Sequence, residues 1–315
     1  MPPLCNIKPT NLAAGSGLSY RPVAVFVGGT SGIGAGMARA FAGHRNGDAH
    51  IILVGRNRAA AEEVIASFPK PPAGKEDAKY EFVECDVSLM RNVRKTAAEL
   101  VERLPKLNFL VLTAGMMTLR GRDETDEGID RKLALHYYSR WRFTYEYVRF
   151  ESLMPLLQKA KDAGEDAKVM TVLSAGLEAG PIDLNDLGLK KTFSLPNAAR
   201  SASTYNDLMV KVFAEKHSDM AFTHIAPGVV RTPLAAGQSN DWILKAFSPL
   251  TTALGYVIGI SPDDSGEYLW HGLYSGDKGA FRRNSSGEDV GDKRLHSTEE
   301  SKTKLWEHTF EETSR

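Results

Sequence analysis

The chain has 315 residues, with 39 basic residues balanced by 39 acidic ones and 42% hydrophobic residues. That is the composition of an ordinary soluble protein with a large core, and zero formal charge argues against a nucleic-acid or acidic-membrane binder. Cys5 and Cys85 are too few for a disulfide framework or a cysteine-rich zinc site, so a reducing, cytoplasmic setting is expected.

Met1 to Tyr20 has no basic flank leading into an apolar stretch, and reads as an N-terminal extension rather than a secretory signal. From Val23 onward, apolar strands alternate with amphipathic helices. Val23–Val27 is a short apolar run ending in glycines, as in a strand buried on both faces. Further strands are expected at Ile51–Val54, Tyr80–Glu84, Asn108–Leu112, Lys168–Leu173 and Ala221–Ile225. Helices are expected at Ile33 to His44, Arg58 to Phe68, Ser88 to Leu104, Thr125 to about Tyr147, Leu153 to Lys161 and Ser201 to His217. Alternation of this kind means βαβ units with right-handed crossovers. The expected fold is α/β: a doubly wound Rossmann fold, with a mostly parallel sheet and helices on both faces. It occupies residues 21–315 as a single domain, and 229–260 form a less regular substrate cap. The longest apolar run, Leu250 to Ile260, is too short to span a bilayer.

The most informative segment is Val23-Ala-Val-Phe-Val-Gly-Gly-Thr-Ser-Gly-Ile-Gly34, a strand running through glycines into a helix. Gly28 suits the tight turn, Gly32 lets backbone amides approach a pyrophosphate, and Gly34 permits close helix–strand packing. The helix N-terminus adds its positive dipole, so the loop reads as a nucleotide site. Thr30, Ser31 and Ile33 complete it.

These residues resemble the short-chain dehydrogenase/reductase family, whose loop is usually TGxxxGIG; the leading Thr is Val27 here, which removes a loop-bracing hydrogen bond. The resemblance extends over about Val23 to Leu234. It implies that Asp86, in Cys85-Asp86-Val87-Ser88, contacts the adenine, with Val87 beside it. Thr113-Ala114-Gly115 stands where the family has NNAG, which assigns Ala114 and Gly115 to the cofactor. Ala226-Pro227-Gly228 resembles the loop beside the nicotinamide and brings in Pro227 and Gly228. The tail from Ser261 is similar to that of a fungal branch.

An NAD-selective site usually carries a carboxylate about 20 residues beyond the glycines. Here the second strand ends in Val54-Gly55-Arg56-Asn57-Arg58, with no carboxylate. Arg56 can stack on adenine and pair with a 2′-phosphate, with Asn57 beside it, so NADP(H) is favoured over NAD(H).

The resemblance also implies a catalytic Tyr, a Lys four residues later that lowers its pKa, a Ser that holds the substrate oxygen, and an Asn that organises a water relay. Ser174 closes its strand as the family's Ser does. The Asn is absent, and His136 stands at its position, where it could relay a proton or be a packed core histidine. Tyr205 is the only Tyr on the expected helix, but Met209 follows four residues later, and Tyr205 lies 22 residues before Pro227. The family's Tyr lies roughly 30 residues before that proline, a register that puts Ala199 and Ser203 at the Tyr and Lys positions. Tyr205 is therefore either the acid or a packed aromatic. On the long helix, Tyr138 or Arg140 could face substrate, or that helix could be core or dimer interface.

No metal-ligand spacing is present, so no metal is expected. The sequence thus points to an NADP(H)-dependent oxidoreductase acting on a small carbonyl or alcohol. A redox-neutral cyclase or isomerase on the same scaffold, and a cofactor-binding regulator, are the rival readings. The expected partner is a small-molecule substrate, with room for a homo-oligomer.

Overall fold

The computed structural model describes residues 1–75, 77–145, 152–176, 180–232 and 259–314. Seven parallel strands form one sheet in the order β3-β2-β1-β4-β5-β6-β7. They are β1 (Val23–Val27), β2 (His50–Gly55), β3 (Lys79–Glu84), β4 (Phe109–Leu112), β5 (Lys168–Val172), β6 (Ala221–Ile225) and β7 (Gly279–Arg283). β1 is buried throughout, as the apolar run predicts, because helices cover both faces of the sheet. The chain order reverses between β1 and β4, which opens a crevice at their carboxyl ends.

Helices α2 (Gly32–His44), α3 (Arg58–Ala66), α4 (Met90–Arg103), α7 (Met154–Asp162) and α8 (Leu195–Lys216) connect the strands. The helix expected from Thr125 to Tyr147 is shorter and irregular. Asp130 caps it, its carboxylate accepting from the Lys132 and Leu133 amides, so helix α5 (Arg131–Leu133) begins only there. A π-helical turn (Ala134–Tyr138) then leads into α6 (Ser139–Thr144). Helix α8 starts six residues earlier than the pattern suggests, at the Ser194 cap, whose hydroxyl accepts from the Asn197 amide.

Three further helices have no counterpart among the expected elements. The N-terminal extension folds as α1 (Leu4–Ser16), which packs on α9 (Pro262–Tyr274), and α10 (Glu299–Ser314) closes the chain. Buried Asn11 of α1 donates to the backbone and side chain of Glu267. Of the expected cap, residues 233–258 lie outside the described residues. No described helix is long and apolar enough to cross a membrane.

Candidate active site

The βα loops at the carboxyl edge of β1, β2, β3 and β4 enclose a cavity of about 560 Å³. The glycine loop forms its floor. Gly28 has φ +88°, and a Cβ there would lie 2.6 Å from the Ala114 amide nitrogen, so only glycine fits this turn. A Cβ on Gly34 would lie 2.4 Å from the Gly28 carbonyl oxygen, which is the close helix–strand approach that α2 needs. The hydrogen bond expected to be missing at Val27 is supplied from the facing loop. The Thr113 hydroxyl and amide, together with the Ala114 amide, all donate to the Val27 carbonyl.

Thr30, Ser31, Gly32 and Ile33 line the cavity with Gly28 and Gly34; Arg56 and Asn57 from the β2 loop, Asp86 and Val87 from the β3 loop, and Ala114 and Gly115 from the β4 loop also line it. Arg56 is exposed and has no ion-pair partner among the described residues, whereas its neighbour Arg58 lies 4.9 Å over the Phe82 ring. Asn57 is also exposed, and its side chain caps α3 by accepting from the Ala60 amide. One Asp86 oxygen accepts from the Ser88 amide and hydroxyl, which fixes the turn. Pro227 and Gly228 do not line this cavity; they follow β6, and Thr232 from their loop reaches it instead, facing Gly32. Thr113, Thr232 and Leu135 were not singled out as site residues from sequence. Thr113 was visible only as part of a motif from which both asparagines are missing.

The proposed catalytic residues do not form one cluster. Ser174 follows β5, half-buried, outside the cavity lining. Its amide donates to His224 Nε2 at 3.3 Å, and its carbonyl accepts from the Ser203 hydroxyl at 3.0 Å. Ser203, at the family's Lys position by the count from Pro227, is thus beside Ser174. His224 Nδ1 lies 2.6 Å from Asp207 Oδ1, and Asp207 also pairs with Arg282 at 2.8 Å. Burial works to raise the Asp207 carboxyl, yet His224 and Arg282 together hold it below the usual carboxylate range. Burial lowers the His224 pKa despite Asp207, so a neutral imidazole bonded to a carboxylate supports the Ser174 backbone.

His136 sits in the π-helical turn, half-buried, and its Nε2 accepts the Met116 amide at 3.1 Å. That bond places the ring proton on Nδ1. Burial, with Arg140 and Lys132 nearby, pushes its pKa down to about 3, so it is neutral at physiological pH.

Tyr205 requires a correction as the candidate acid. It is fully buried, its hydroxyl donates to the Leu187 carbonyl, and its ring packs 5.0 Å from that of Tyr137. Burial lifts its pKa far above the usual phenol range. The physical reason is helical register: the phenol leaves α8 on the core side. Tyr138 likewise turns from the cavity and bonds to His308 of α10.

These features define an open α/β protein of the Rossmann type, with its crevice at the carboxyl edge of the sheet. The model of the short chain dehydrogenase family matches residues 22–148. Oxidoreductase AN1596 of Emericella nidulans is 36% identical over 249 residues, covering 78% of this chain and 68% of that protein. Human polyprenol dehydrogenase is 26% identical over 260 residues, covering 80% and 72%. Among solved structures, an alcohol dehydrogenase from the archaeon Thermococcus sibiricus, complexed with 5-hydroxy-NADP, superposes with a TM-score of 0.56 at 17% identity, covering 86% and 100%. The chain belongs to the short-chain dehydrogenase/reductase family and is an oxidoreductase of that type.

Proposed function

We propose that the cavity binds NADP(H) and that the chain passes hydride between it and a small carbonyl or alcohol held at Ser174. The observation that carries this reading is Arg56, an exposed cation on the cavity wall with no carboxylate at the end of β2 to hold a free 2′-hydroxyl. The loop fits the group: positive-φ glycines bring backbone amides and the α2 N-terminus to one wall. The solved relative in complex with an NADP derivative is consistent with it.

In this reading the cofactor, when bound, supplies the hydride. Gly28 to Gly34 hold the pyrophosphate, Arg56 and Asn57 the 2′-phosphate, Asp86 and Val87 the adenine side. Ala114, Gly115, Pro227 and Gly228 flank the nicotinamide side. Ser174 donates a hydrogen bond to the substrate oxygen as charge develops on it. His136, neutral and protonated on Nδ1, stands at the relay position. We also treat residues 21–315 as one domain with 229–260 as the substrate cap, in a cytoplasmic setting suited to two free thiols. A homo-oligomer remains part of the proposal.

A second reading is favoured by one observation: no phenol–lysine pair lies at the described part of the site. A redox-neutral enzyme on the same scaffold would need no such pair. Stopped-flow measurement of NADPH oxidation over a panel of aldehydes and ketones separates them. Turnover of any member supports hydride transfer, whereas tight binding without turnover across the panel supports the second reading.

A further inference from the structure

Arg140 is 2% exposed, and its guanidinium donates four hydrogen bonds, none to a carboxylate among the described residues. Nε donates to the Leu135 carbonyl at 3.2 Å, and one terminal nitrogen to Thr171 Oγ1 at 2.7 Å and the Val172 carbonyl at 2.8 Å. The other donates to the Ala114 carbonyl at 2.8 Å. Thr171 passes the chain on to Asn206, whose amide donates to the His136 carbonyl. Four of the five guanidinium N–H groups are used in this way, but the charge meets no carboxylate among the described residues. A buried charge without a counter-ion is costly, and hydrogen bonds donated to neutral carbonyls and a hydroxyl offset only part of that cost.

Strand order places this charge along the groove. Arg56 and Asp86 follow β2 and β3 on one side of β1, and Ala114 and Ser174 follow β4 and β5 on the other. A dinucleotide whose adenosine end lies over β2 and β3 therefore places its nicotinamide end over β4 and β5. Arg140 bonds the Ala114 and Val172 carbonyls at those two strand ends. Asp207, a buried carboxylate on that side, is already paired with His224 and Arg282. Burial lowers the pKa of both His136 and His224, and the Arg140 charge lowers them further.

We infer that Arg140 is a positioning residue that selects the reduced cofactor. Resting on the cofactor reading above, the inference is that its fixed positive charge disfavours the cationic nicotinamide of NADP+ relative to the neutral ring of NADPH. Hydride transfer from NADPH to a carbonyl turns the ring from neutral to +1 and, with one proton, turns the carbonyl into an alcohol. A cation buried at this end of the groove would destabilise the oxidised product and favour its release, while stabilising negative charge that develops on the substrate oxygen. The chain is thereby biased toward carbonyl reduction. Arg140 itself gives no proton.

Calorimetric titration with NADPH and with NADP+ tests this on the native chain, Arg140→Lys and Arg140→Met, with far-UV circular dichroism to check folding. At an effective dielectric of about 20, like charges roughly 12 Å apart change a binding ratio about tenfold. The native chain should favour NADPH by about that factor. Arg140→Met should lose this preference, and Arg140→Lys, whose buried amine gives up its proton more readily than a guanidinium, should show it increasingly as pH falls. Equal affinity of the native chain for both nucleotides overturns the inference, a result that needs no variant to fold. So does a folded Arg140→Met with the native preference, since the charge would then play no part. If neither nucleotide binds the native chain, the cofactor reading falls and this inference with it. If both bind equally, only the inference falls.

Discussion

Ser174 and Tyr205 have opposite surroundings, and each makes a separate prediction. Ser174 is half-buried at a strand end with its backbone held by His224 and Ser203, while Tyr205 is fully buried with its hydroxyl on the Leu187 carbonyl. In single-turnover NADPH oxidation, Ser174→Ala should lose about 100- to 1,000-fold, the cost of one donor to a developing oxyanion. Tyr205→Phe should leave that rate unchanged and cost about 1 kcal/mol of stability, read by urea unfolding. Loss of turnover in Tyr205→Phe would restore the phenol as the acid. His136 carries a pH prediction. Its pKa in the folded chain is held at about 3, below the ordinary histidine value, so the unfolded chain takes up the proton first. The neutral ring contributes stability above about pH 6.5, and this is lost as pH falls toward the folded value. Between pH 6.5 and 5 the native chain should lose about 1–2 kcal/mol more than His136→Gln, by urea unfolding at each pH.

Among the elements, the strands were the most legible, because apolar runs of four to six residues bounded by turns have few other readings. β1 and β6 have the bounds expected from sequence. The same logic missed β7, where Arg282 and Arg283 break the apolar pattern. Both are buried, Arg282 by pairing with Asp207 and Arg283 by donating to the Gly287 carbonyl. The helix around His136 was overextended at its start because Ile129 continues the apolar period but is buried from a loop, with Asp130 capping one residue later. The cofactor loops were legible because their glycines mark backbone geometry. The support beneath Ser174 was not, since Asp207, His224 and Arg282 come from three separate elements. Gly36 shows how close packing between elements can be tested. A Cβ there would stand 2.1 Å from the Pro262 carbonyl oxygen of α9, a backbone contact that cannot be relieved by a side-chain rotation. Gly36→Ala should therefore cost about 1–3 kcal/mol by chemical denaturation. An unchanged midpoint would mean that α2 and α9 are not held this tightly.

Across the whole molecule, the first and last helices pack on other helices and not on the sheet edges. α1 lies on α9, while α10 covers the aromatic cluster presented by α6 and α8. Trp306 of α10 meets Trp141 and Phe213 edge-on, each at 5.1 Å between ring centroids. Thr309 bonds Tyr137, and Lys302 pairs with Glu215. The aromatics that the sequence assigned to either core or dimer interface are covered by the chain's own C-terminal helix. That was unreadable from local pattern, because α10 is polar on most of its length and its partners lie more than 80 residues away. Trp306 is partly buried against the core, so Trp306→Ala should cost about 2–3 kcal/mol by thermal or urea unfolding, below the value for a fully buried Trp. NADPH affinity should stay native, since the cavity lies at the carboxyl edge of β1 to β4 and none of α10 lines it.

Calorimetric titration of the native chain and Arg56→Ala with NADPH and NADH measures directly whether this groove takes NADP(H) and whether Arg56 chooses it. The native chain should bind NADPH more tightly, and substitution should cost about 1.5–3 kcal/mol of NADPH affinity, roughly 10- to 150-fold, with NADH little affected. An NADPH/NADH affinity ratio unchanged by Arg56→Ala would contradict this.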